Sequence, residues 1–163
     1  MAHHKLLLDD DLNEEFSLIA IHCSEEDYKM AYTLNKQLNL RLERQKEDLE
    51  LSYHKQKASF PIYEFEDQFQ YTQYYLVANK CKQQVIDTQA SSSLFSEEDS
   101  EKVMLHYLLP EFKNADYFLK IASDFQSIPM RKNIALINEL NQVISAYEVD
   151  QSKIKSSQNL IFN

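Results

Sequence analysis

Chemistry in this chain is concentrated in the stretch "HYLLPEFKNADYFLKI", His106 to Ile121. The carboxylates of Glu111 and Asp116 flank a turn, with His106 before them and Tyr117 after. Paired carboxylates beside an imidazole or a phenol can act as an acid–base pair or hold a cation. The competing reading is structural, because carboxylates near turns commonly accept backbone N–H groups and fix a chain reversal. Pro110 ends one strand, Glu111 opens the turn, Lys113–Asn114 reverses the chain and Asp116 begins the next strand. The structural reading is favoured. No catalytic residue is assigned, and Glu111, Asp116, Tyr117 and His106 stand as the candidates for a catalytic or ligand site.

Other chemistries are excluded by composition. The chain has no glycine at all. Phosphate-cradling loops, dinucleotide fingerprints and nucleophile elbows all need glycine for tight turns and close backbone approach. No cofactor is therefore expected. Left-handed backbone positions must fall to other residues, and Asn39, Asn79 and Asn114 sit at expected element ends. His22, His54 and His106 have no zinc-ligand spacing, so no metal site is expected. Once Met1 is lost, Ala2-His3-His4 offers a free amine and imidazoles that can take Cu(II) or Ni(II) incidentally. Cys23 ends an apolar run and reads as a small buried hydrophobe. Cys81 lies between Lys80 and Lys82, a setting that favours the thiolate, although an inert surface thiol is the simpler reading.

Length and charge bound the rest. A chain of 163 residues suits one domain, spanning 1–163. Its formal net charge of −9 argues against nucleic-acid binding. No apolar run approaches the ~20 residues of a membrane-spanning helix. The start "MAHHKLLLDDD" is too short in apolar residues for a signal peptide, so a cytoplasmic protein is expected.

These residues must be positioned by a mixed set of elements. "FSLIAIHC" reads as a strand buried on both faces. "SEEDYKMAYTLNKQLN" reads as a helix with Ser24 as N-cap and Asn39 as its left-handed end. Strands follow over Leu40–Leu51. A long hairpin spans Ala58–Lys80, with Pro61 at a strand start or edge and its turn near Asp67. Residues 80–102 read as a mobile loop. "KVMLHYLLP" and "ADYFLKIAS" read as strands, the second with Ala115, Tyr117, Leu119 and Ile121 on one face. Pro129 begins a helix running to about Ile144, with Ile134, Ile137, Leu140 and Ile144 as its stripe. "SAYEVD" reads as a last strand, and the apolar tip of "KSSQNLIFN" predicts a docked C-terminal tail. The expected fold is α+β: a largely antiparallel sheet with two main helices packed on one face.

The signature Leu109-Pro110-Glu111, Phe112-Lys113-Asn114, Ala115-Asp116-Tyr117 resembles that of the IPExxxVDY family of uncharacterised bacterial proteins. Pro110, Glu111, Asp116 and Tyr117 match, while leucine replaces isoleucine and alanine replaces valine. The "LDDD" start, the "LNKQLNL" helix end and "NLIF" extend the resemblance over nearly the whole chain. It implies a bacterial protein and no particular activity.

The aromatic series Tyr63, Phe65, Phe69, Tyr71, Tyr74 and Tyr75 reads equally as cross-strand packing or as a contact surface. Two helices cannot cover both faces of such a sheet, so Tyr71, Tyr74 and Tyr75 are the interface candidates. The leading functional expectation is a small non-enzymatic interaction or structural module with a protein partner or a homodimer. The alternative is an enzyme or small-ligand-binding protein using the carboxylates of the signature.

Overall fold

The computed structural model describes residues 15–85, 102–124 and 127–162. A six-stranded antiparallel sheet forms its centre. In spatial order it runs β10 (Val143–Glu148), β1 (Phe16–Cys23), β9 (Tyr117–Ser123), β6 (Thr72–Ala78), β5 (Ile62–Asp67) and β2 (Glu43–Arg44). Two helices, α1 (Asp27–Leu38) and α2 (Met130–Asn138), cover one face. The expected α+β fold is thus the observed one.

Strand period 2 divides the central residues between two cores. Ile19, Ile21 and Cys23 of β1 join Tyr117, Leu119 and Ile121 of β9 under the helices. Met30, Ala31 and Leu34 of α1 and Ile137 of α2 close that core from above. Leu18, Ala20, Phe118, Val77 and Tyr75 point the other way. Their cover is a second layer of hairpins, turns and tail. It contains β3 (Leu49–Tyr53) paired with β4 (Gln56–Phe60), and β7 (Lys80–Val85) paired with β8 (Lys102–Tyr107). Pro61 stands between β4 and β5, where the chain passes from the second layer into the sheet, so it marks a strand start.

Several expectations need correction. Lys80–Val85 is a strand, not the start of a loop; residues 86–101 lie outside the described part. Its polar sequence hides the pattern, because the inward positions are Cys81 and Gln83. Ser24 does not cap α1. The helix begins at Asp27 behind Glu26, without a side-chain cap. Helix α2 stops at Asn138, and Ile144 belongs to β10, where it is exposed. Ala115 precedes β9 and packs in the second core, not beside Tyr117. Of the three asparagines, Asn39 alone takes a left-handed backbone (φ 56°). Among the described residues the other positive φ values fall on His54, Lys55 and Tyr71.

The tail docks as expected. Leu160 is buried in the second core, and the Phe162 ring lies 5.2 Å from that of Tyr75. This layer corrects the interface candidates. Tyr74 packs under the helices and Tyr75 beneath the tail, so both are covered by the chain itself. Adjacent strand residues do face opposite ways here, but both faces have a cover. Tyr71 remains 61 % exposed, at the left-handed position of the β5–β6 turn.

Candidate functional site

The segment Leu108–Tyr117 folds as a short 3₁₀ turn, Pro110–Phe112, leading into β9. Pro110 suits the first position of such a turn, where its missing N–H has no helical partner. Glu111, Asp116 and Tyr117 of the segment then reach other parts of the chain.

Glu111 holds the tail. Its Oε1 accepts the backbone N–H groups of Lys155 (2.8 Å) and Ser156 (2.9 Å), and its Oε2 accepts the Ser156 hydroxyl at 3.2 Å. Burial works to raise the Glu111 carboxyl. The N–H donors of Ser156 and Lys155 and the Ser156 hydroxyl outweigh it and hold the group below its usual range.

Asp116 holds the junction of β1 with α1 and the start of β7. Its Oδ2 accepts the Cys23 N–H at 2.9 Å and its Oδ1 pairs with Lys80 Nζ at 2.8 Å. Tyr117 donates its hydroxyl to the Glu25 carbonyl, just before α1. Burial is the main cause that pushes the Tyr117 phenol far above its ordinary value, reinforced by the Asp27 carboxylate. Tyr63 reaches the same helix start from β5, donating to Asp27 Oδ2 at 2.9 Å. Its phenol is pushed up to about 12, by burial first and by Asp27 second. Arg44 joins them, 3.8 Å from Asp27 and 5.9 Å above the Tyr63 ring.

Thus the two carboxylates accept backbone N–H groups, as the structural reading expects, but from remote segments, not from their own turn. That turn is fixed by a residue the sequence reading placed elsewhere. Asn79 is fully buried at the joint between β6 and β7. Its Nδ2 donates to the carbonyls of Phe112 and Ala115, each at 2.8 Å, and its Oδ1 accepts the Leu109 N–H at 2.8 Å. Its own backbone carbonyl accepts the Leu108 N–H (2.8 Å) and its N–H donates to the Asp116 carbonyl (2.9 Å). A primary amide suits the task, since it both donates and accepts. The one available signal was an asparagine at an expected element end.

Lys120 was also missed. It lies mid-strand in β9, only 2 % exposed, in the second core. Its Nζ donates to the Leu160 carbonyl at 3.0 Å. The rings of Phe16, Phe162 and Tyr75 lie 4.9, 5.3 and 5.6 Å from the ammonium. Ring quadrupoles attract a cation at these separations. The tail therefore completes an aromatic enclosure around a buried charge.

His106 does not join the carboxylates through any described contact. It sits in β8, directly opposite Cys81 of β7, with its ring stacked on Tyr53 at 5.2 Å. Tyr53 in turn donates its hydroxyl to the Tyr107 carbonyl at 2.7 Å.

No family model matches the chain, and no curated protein or solved structure matches it. No described helix is long and apolar enough to cross a membrane.

Proposed function

We propose that the chain is a small non-enzymatic interaction module of the bacterial cytoplasm that acts by self-association. The observation that carries this reading is the outward face of the β7–β8 ribbon. Val103 and Leu105 are 59 % and 41 % exposed there, opposite Gln84 and Lys82. Among the described residues β8 has no strand on its far side. An apolar strand edge is a liability unless it is paired, and strand addition is a common mode of recognition. The net charge of −9 supports a protein partner over a nucleic acid. The resemblance to the IPExxxVDY family supports the bacterial assignment. The engagement of Glu111 and Asp116 with backbone N–H groups supports an architectural use of that signature.

Light scattering at micromolar concentration tests the reading. Wild type is expected at twice the 19.3 kDa chain mass, and a Val103→Lys, Leu105→Lys double variant at 19.3 kDa. A wild-type monomer, or a dimer indifferent to the double change, refutes self-association through β8.

A further inference from the structure

The inward face of the same ribbon carries a different arrangement. Cys81 stands directly opposite His106, and Gln83 directly opposite Met104. Residues opposed across an antiparallel ladder share a face, and so do residues two apart in one strand. A thiol, an imidazole, a thioether and an amide therefore form a square on one side of β7–β8. The exposure pattern sets three of the four apart: Cys81, Gln83 and His106 are partly buried, Met104 is 39 % exposed on the same face, and Lys82, Gln84, Val103 and Leu105 on the other side are exposed. The Tyr53 ring stacks on His106 from β3 and fixes which way this face looks.

A second, independent observation falls on the same square. Among the described residues the buried side-chain polar atoms that lack a hydrogen-bond partner are His106 Nε2 and Gln83 Oε1. Buried polar atoms are nearly always partnered, and an exception marks a place for a water or an ion. Both exceptions here lie diagonally across one ladder, beside two sulfur atoms.

The geometry points to a soft-metal site: Cys81, His106 and Met104 take copper(I), with Gln83 beside them. Ligand softness selects the metal. Thiolate, imidazole and thioether together suit Cu(I), whereas zinc uses thiolate and imidazole but not a thioether. Hard cations require oxygen ligands, and this face offers one amide oxygen. Binding replaces the thiol proton of Cys81, which leaves to solvent, and copper stays in the +1 state throughout. Cross-strand donors are held by the ladder, so the site needs no loop to close. The His106 ring orientation is set by Tyr53, which is itself tied to the Tyr107 carbonyl. This site is separate from the outward apolar edge and stands or falls independently of it.

The test is an anaerobic titration of the full reduced chain with Cu(I), in competition with bicinchoninate. Wild type is expected to withdraw one copper per chain. Cys81→Ser and His106→Gln are expected to lose that uptake, and Met104→Leu to weaken it about tenfold. Circular dichroism melts identify variants that fail to fold. X-ray absorption of the wild-type complex, expected to show two sulfur neighbours and one nitrogen, does not depend on any variant. Absence of uptake by the folded wild type overturns the assignment. So does uptake that survives Cys81→Ser but disappears in a His3→Ala, His4→Ala variant, which would place the copper at the N-terminus. Displacement of the bound copper by equimolar zinc would overturn the choice of metal.

Discussion

Against one face of the central sheet, α1 and α2 lay Met30, Ala31, Leu34 and Ile137 onto strand side chains. Against the other face, the cover is assembled from hairpins, a 3₁₀ turn and a tail drawn from distant parts of the chain. There, polar atoms do the joining: Asn79 binds the turn, Glu111 binds the tail, and Lys120 binds the Leu160 carbonyl. A helix satisfies its own backbone and needs only an apolar stripe to dock. Irregular segments bring unpaired N–H and C=O groups with them, and these must be met by side chains. The helix face is therefore held mainly by burial, with hydrogen bonds from Tyr63, Tyr117 and Asn138 at the helix ends, and the opposite face by burial plus hydrogen bonds that join its irregular segments throughout.

That difference predicts a ranking. Leu34→Ala removes a fully buried side chain from the helix face and should cost about 3–4 kcal/mol. The loss should be the same at pH 4 and pH 7, as read from urea midpoints. Asn79→Ala on the opposite face leaves the Ala115 carbonyl and the Leu109 N–H without partners and takes one of two donors from the Phe112 carbonyl, at a cost of about 3 kcal/mol. It should also speed amide exchange in 108–117 more than in α1, and equal protection in both segments would count against the hub.

Glu111→Gln is expected to cost about 1–2 kcal/mol at neutral pH, a fall of several degrees in melting temperature. The sign with pH follows from the depressed carboxyl. Its stabilisation is complete above the ordinary value near 4.5 and is lost as pH falls through the lower folded value. Wild type and variant should therefore converge in acid, and a constant gap would remove the charge from the account. The smallest effect is spectroscopic. In alkaline titration followed by phenolate absorbance, Tyr63 should ionise near 12, above its ordinary 10. Tyr117 should ionise later still. Their contribution to stability is present below 10 and fades as pH rises through the folded values. Tyr63→Phe and Tyr117→Phe should each delete one late step.

The helix face was largely legible in the sequence because its information is local. The runs Phe16–Cys23 and Asp27–Leu38 show their periods within a few residues, and Asn39 marks where the helix ends. Pattern also misled locally: the spacing of Ile134, Ile137, Leu140 and Ile144 continues a helical stripe across a turn into β10. The second layer was hardly legible. Glu111 looked like a turn residue because its partners lie 44 and 45 positions away. Lys120 occupies a position that alternation in β9 assigns to the buried side, yet a lysine reads as solvent-facing until Phe16, Tyr75 and Phe162 are seen around it. The Cys81–His106 pairing depends on a ladder between residues 25 positions apart, and no periodicity within either strand announces it.

The pairing of β1 has a consequence during synthesis. Its neighbours in the sheet are β9 and β10, which begin at Tyr117 and Val143. At ~5–20 residues per second, a ribosome needs roughly 5–20 s to make the intervening chain. Throughout that interval "FSLIAIHC" exists with neither ladder partner available. Helix α1 follows at once and can shield one side of it, but the side bearing Leu18 and Ala20 waits for the last third of the protein. The nascent chain thus exposes an apolar strand face until late in synthesis, and its refolding, dominated by distant contacts, belongs with the slower small domains.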